Sequence, residues 1–281
     1  MSPTRFTNLV GCTLPVQLAA MGGVGTTELA NAVAAAGGLG MVPAGTQPGA
    51  AACGVNFLMP FDPSLDDIAA AASQCRVVEF FYSDPRADVV TAAHAAGAIA
   101  GWQVGSVAEA VAAEKVGCDY VVAQGTEAGG HVRGSQNLDD LLAQVLLSVR
   151  IPIVAAGGIA TAERTAALIG SGADAVRVGT RFVASPESGA HPEYVRMVLA
   201  AASIDTTLTE WFSDGWANAP HRVLRSCVTA AQKTGWKATV PPYRGVDRDP
   251  SDMAMYAGMG VGDVNSRQPA AEVVADLVRL L

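Results

Sequence analysis

YVVAQGTEAGGHVRG, residues Tyr120–Gly134, reads as a short apolar strand that ends at Gln124 and runs straight into a glycine-rich loop. Gly125, Gly129 and Gly130 let the backbone bend sharply and come close to a ligand. The loop carries His131, one of four histidines in the chain. An imidazole at the mouth of such a loop is suited to proton transfer near neutral pH.

The strand-and-loop unit recurs on both sides of this stretch. Before it, apolar strands are expected at Val16–Ala20, Leu39–Pro43, Gly54–Met59, Val77–Tyr82 and Ala98–Val104. After it come Ile151–Ala155 and Ala175–Val178. Helices are expected between most of them. One is capped by Thr26 or Thr27 and runs through Ala36, and others cover Ala87–Ala96, Ser106 to Val116, Leu138–Val149 and Thr161 to Ser171. Short apolar strands alternating with helices indicate a parallel sheet, and eight of them match a closed (β/α)8 TIM barrel. No helix is evident between the second and third strands. The alternative, an open doubly wound sheet, lacks its fingerprint, because Gly23 and Gly25 have no third glycine in register. A helix is read over Glu187–Ala202. The alternation then stops, and residues 205–250, with three of the four tryptophans, read as a lid or side excursion on a single domain spanning 1–281. Pro269–Leu281 reads as a closing helix.

Half of the 281 residues are hydrophobic and 16% are charged, enough to bury a large core. A net charge of −8 without a basic patch argues against nucleic acid or an anionic membrane as partner. The five cysteines (Cys12, Cys53, Cys75, Cys118, Cys227) form no CxxC pair, so neither a disulfide framework nor a metal site is expected, and a reducing, cytoplasmic setting is. Leu29–Phe61 has no charged residue, but its glycines and prolines break it into pieces too short to span a membrane.

Two more loops carry chemistry. AAGGIAT (Ala155–Thr161) places Gly157 and Gly158 just before a helix, and VGTRF (Val178–Phe182) follows the eighth strand. In a βα barrel these loops lie side by side at the mouth, where free backbone N–H groups and a helix dipole hold phosphate.

The motifs PVQLAAMGGVGTTELANAVAAAGGLG, GVNF, AQGTEAGGH, PIVAAGGIA and AVRVGTRF, in this order, resemble the nitronate monooxygenase (2-nitropropane dioxygenase) family of FMN-dependent TIM barrels. APHRVLR and YAGMGVG extend the likeness toward the C-terminus. The resemblance implies FMN as cofactor, with its phosphate between Gly157-Gly158 and Gly179-Thr180. It puts Met21, Gly22, Asn56 and Gln124 around the ring or ribityl chain, and Gly129 and Gly130 in the same loop as the histidine. His131 matches the family's catalytic histidine. It would take the proton α to a nitro group or, as imidazolium, steady the nitronate. The implied reaction turns an alkyl nitronate or nitroalkane and O2 into a carbonyl compound and nitrite. FMN-dependent enoyl-acyl-carrier-protein reductases and NADH:quinone reductases share the signature, with NAD(P)H as reductant, so cofactor and fold are implied more firmly than reaction. Of the other histidines, His94 and His191 are expected to be structural, and His221 lies in the excursion. Glu127 is expected to fix its loop through N–H groups, and Arg181 to meet either phosphate or a rim carboxylate.

Overall fold

The computed structural model describes residues 2–49 and 53–281. Eight parallel strands form its core: β1 (Val16–Leu18), β2 (Gly40–Pro43), β3 (Cys53–Leu58), β4 (Val77–Phe81), β5 (Ile99–Val104), β6 (Tyr120–Gln124), β7 (Ile153–Ala156) and β8 (Ala175–Val178). Each pairs with its neighbour in sequence, and β8 returns to β1 through Val16↔Val176, Gln17↔Arg177 and Leu18↔Val178. Leu39, just before β2, closes the ring: its N–H donates to Val16 O and its O accepts from Leu18 N, both at 2.9 Å. The chain is therefore a (β/α)8 TIM barrel.

The strands are buried on both faces, which explains their unbroken apolar runs. Helices on the outside begin where sequence places caps. Thr26, Ser106, Asn137 and Thr161 each accept from the N–H three residues on. The helix Leu65–Ala72, unread from sequence, starts with a capping box between Ser64 and Asp67. The N-terminal helix Arg5–Val10 was also unread; its Phe6 packs edge-on against Tyr120 at 5.3 Å, at the start of β6. Among the described residues no helix separates β2 from β3.

The helix expected over Glu187–Ala202 is shorter and is preceded by a break. One turn covers Thr180–Val183 and a second helix covers Pro192–Ala200. Pro192, lacking an N–H and fixed in φ, suits the first helical turn, and His191 caps it. The C-terminal helix is likewise confined to Ala270–Leu277. Residues 205–250 contain order of their own. Strands β9 (Thr206–Thr209) and β10 (His221–Leu224) pair antiparallel, and the helix Arg225–Thr234 follows. β10 then adds the two-residue strand Gly130–His131 to the sheet, so the excursion is joined to the loop after β6.

Candidate active site

A cavity of about 540 Å³ opens at the C-terminal ends of the barrel strands, the end at which such barrels carry chemistry. Met21, Gly22, Asn56, Gln124, Gly129, Gly130, His131, Gly157, Gly158, Gly179 and Thr180 all line it. The structure thus brings every site residue read from sequence to one place.

One wall is a glycine cradle. Gly157 and Gly158 hold φ of +124° and +66°, conformations that side chains rarely adopt. A Cβ on Gly157 would lie 3.2 Å from Ala128 N, and one on Gly179 would lie 3.2 Å from the Ala19 methyl. The backbone here is open only because side chains are absent. Beside it, Thr180 Oγ1 accepts from Gly258 N at 2.9 Å.

The His131 loop is fastened from several sides. The Glu127 carboxylate accepts from Leu138 N at 3.1 and 3.0 Å, at the first residue of the helix Leu138–Ser148. Arg222 Nε donates to Thr126 O at 2.9 Å. Glu127 thus fixes the loop through an N–H group, as expected. Gln124 Nε2 donates to His131 O at 2.9 Å, while Gln124 Oε1 and His131 Nε2 are buried with no hydrogen-bond partner among the described residues. Buried polar atoms are almost always satisfied, so two such atoms on one cavity wall mark a place where a ligand completes the bonding.

The imidazole sits in an aromatic enclosure. Trp216 stacks on His131 with ring centres 3.9 Å apart and planes 20° apart, and Tyr82 and Tyr256 approach at 6.0 and 5.7 Å. Tyr82 holds a φ of +72°, a strained conformation for a bulky residue, and it sets its ring 4.7 Å from that of Trp216. Burial, and secondarily the neighbouring His221, pull the His131 pKa from 6.5 down to about 3. His131 is therefore neutral at physiological pH. His221, whose ring centre is 5.1 Å away, is fully buried. Its Nε2 accepts from Phe212 N at 3.3 Å, so its Nδ1 carries the proton and donates to Ala219 O at 2.9 Å. Burial lowers its pKa as well.

The remaining candidates stand away from the cavity. His94 pairs with Asp119 at 2.7 Å, and His191 Nδ1 accepts from Glu193 N at 3.1 Å. Arg181 donates to Ala160 O and pairs with Asp276 at 2.7 Å, which makes it a rim salt bridge. Sequence reading missed the polar floor, where Arg177 and Gln103 reach the cavity and Glu79 lies beneath them. The available signal was a lone charge inside an apolar strand, in VVEFF and again in AVRV. Among the described residues no group of three or more His, Cys, Asp or Glu could hold a metal ion, and no helix is long and apolar enough to cross a membrane.

The sequence profile of the nitronate monooxygenase family matches residues 50–279. A (3aS,4S,5R,7aS)-5-hydroxy-7a-methyl-1-oxo-octahydro-1H-indene-4-carboxyl-CoA dehydrogenase of Mycobacterium tuberculosis is 32% identical, over 84% of this chain and 70% of that protein. A nitronate monooxygenase of Pseudomonas aeruginosa is 30% identical, over 73% of this chain and 76% of that protein. Among solved structures, FabK from Thermotoga maritima superposes with a TM-score of 0.86 at 29% identity, covering 99% of this chain and 96% of that one. The nitroalkane oxidase of Streptomyces ansochromogenes gives 0.77 at 29% identity, covering 98% and 97%.

Proposed function

This chain belongs to the nitronate monooxygenase family and is an oxidoreductase, and from that premise we propose that it binds FMN and oxidises alkyl nitronates or their parent nitroalkanes with O2 to a carbonyl compound and nitrite. The observation that carries this reading is the glycine cradle of Gly157, Gly158 and Gly179 on the wall of a cavity that Gln124 and His131 also line, each of these two with a buried polar atom that has no partner among the described residues. The donor set fits the cofactor. Backbone exposed at Gly157, Gly158 and Gly179 suits a phosphate, and Gln124 Oε1 suits a ribityl hydroxyl or a ring N–H.

FMN, when bound, supplies the electron transfer between nitronate and dioxygen. The chain supplies the proton chemistry and the enclosure. Neutral His131 is a base rather than an imidazolium, so it can take the proton from the carbon bearing the nitro group, although its burial weakens it as a base. The imidazolium that forms then stands beside the nitronate anion, each charge offsetting the burial of the other. Trp216, Tyr82 and Tyr256 keep water from the imidazole, and Gln124 holds the loop backbone at His131 O.

A second reading, an FMN-dependent NAD(P)H reductase, is favoured by the likeness to FabK, which superposes better than the nitroalkane oxidase. An anaerobic visible spectrum separates the two. A flavin band that changes on addition of an alkyl nitronate and of its parent nitroalkane, and that in His131→Ala keeps the first response but loses the second, is the expected result. A band unmoved by nitronate but bleached by NAD(P)H assigns the reductase reaction instead, and the absence of any flavin band after incubation with FMN overturns both.

A further inference from the structure

Proton transfer at His131 leaves a buried ion pair beneath the cavity without a task. Glu79 on β4 is fully buried, and Arg177 on β8 reaches the cavity wall. Arg177 donates from Nε to Gln17 Oε1 (3.2 Å), from Nη1 to Gln103 Oε1 (2.6 Å) and from Nη2 to Glu79. Glu79 Oε2 also accepts from the Tyr120 hydroxyl (2.9 Å) and Gln17 Nε2 (3.2 Å), while Glu79 Oε1 accepts from Asn56 Nδ2 (2.9 Å).

A carboxylate in such a pair only accepts and a guanidinium only donates. Each therefore dictates which end of a neighbouring amide turns toward it. Asn56 must give its nitrogen to Glu79, which leaves Oδ1 for the cavity. Gln103 must give its oxygen to Arg177, which leaves Nε2. Both side chains line the cavity, and neither free end has a partner among the described residues. Reversing either amide would set oxygen against carboxylate or nitrogen against guanidinium.

We propose that the Glu79–Arg177 pair is a polarity template, holding Asn56 as an acceptor and Gln103 as a donor so that the cavity selects a ligand edge alternating N–H and C=O, as on the imide side of an isoalloxazine ring. The proposal rests on the FMN reading and adds to it. Glu79 and Arg177 are positioning residues that act through the two amides. Burying a pair so deeply offers little net stability over an apolar pair, and orienting the amides gives it a role that an apolar pair lacks.

The test compares the dissociation constants of 3-methyl-FMN and FMN for the flavin-free protein, read by quenching of flavin fluorescence. The methyl group removes the one N–H of that edge. The wild-type protein is expected to favour FMN by about tenfold or more, the worth of one buried hydrogen bond. In the double variant Glu79→Gln/Arg177→Met both amides can turn, and the preference is expected to shrink to about twofold or less. A wild-type preference near one, or an undiminished preference in the folded double variant, overturns the template while FMN binding stands. A wild-type protein that binds neither flavin overturns the FMN reading and the template together. Should the double variant fail to fold, Gln103→Glu replaces the donor with an acceptor at constant size. FMN binding about tenfold weaker supports the template, and unchanged binding overturns it.

Discussion

His131 shows how far burial, helped by a neighbouring imidazole, can set the chemistry of one side chain. Its ring is enclosed by Trp216, Tyr82, Tyr256 and His221, and its pKa falls from 6.5 to about 3. The sign of the consequence follows from linkage. Between pH 6.5 and 3 the unfolded chain binds a proton at this residue and the folded chain does not. Its contribution to stability is thus complete above about pH 6.5 and is lost as the pH falls toward 3. Denaturant titrations at several pH values are expected to show a steeper acid loss in the wild-type protein than in His131→Gln, where nothing titrates. Equal pH slopes would show that the imidazole protonates freely in the folded state. The residue type was legible in the sequence as a histidine in a glycine loop. Its neutrality was not, because Trp216 lies 85 positions further on and nothing local announces the stacking.

At the scale of elements, the loop after β6 is held by close backbone packing as much as by hydrogen bonds. A Cβ on Gly129 would stand 2.5 Å from Gly258 N and 2.8 Å from the Ala257 carbonyl carbon. Met259 N also donates to Glu127 O at 2.9 Å. Gly129→Ala is therefore expected to push the two segments apart at a cost of about 1–3 kcal/mol, seen in urea denaturation together with weakened flavin binding. A variant as stable as the wild type would mean the segments yield easily. The three glycines of this loop were legible as a sharp bend. The partner strand was not, because β10 reaches Gly130 and His131 from a stretch without barrel rhythm. Caps were legible at Thr26, Ser106 and Thr161, because a cap needs only its own next three residues, whereas those at Thr4, Ser64 and Asn137 were not read. The break before Pro192 was missed by the continuous helix read over Glu187–Ala202, although Gly189 and the proline itself were its signal.

For the whole molecule, the barrel was legible because each strand-and-helix unit announces itself locally and eight units leave few alternatives. Its polar interior was not, since Gln17, Asn56, Glu79, Gln103, Tyr120 and Arg177 come from six different strands and meet only when the ring closes. That network ties β1, β3, β4, β5, β6 and β8 together. Glu79→Ala strands the Arg177 guanidinium in the barrel and is expected to cost about 3–5 kcal/mol of global stability. Adding Arg177→Met should return a large part of that loss, because no unpaired charge then remains. Denaturant midpoints of the two variants check both statements, and a double variant no more stable than Glu79→Ala would show that the loss comes from packing rather than charge.

The sheet that joins Gly130–His131 to β10 also sets an order in time. His131 pairs with His221, and Gly129 rests on Ala257 and Gly258, so the segments that seat the imidazole are made long after it. A nascent chain can hold all eight barrel strands once Val178 has emerged. Its imidazole then still lacks Trp216, Tyr256 and the β10 edge. The enclosure of His131 is therefore completed late in synthesis, well after the cradle of glycines at Gly157, Gly158 and Gly179 has emerged.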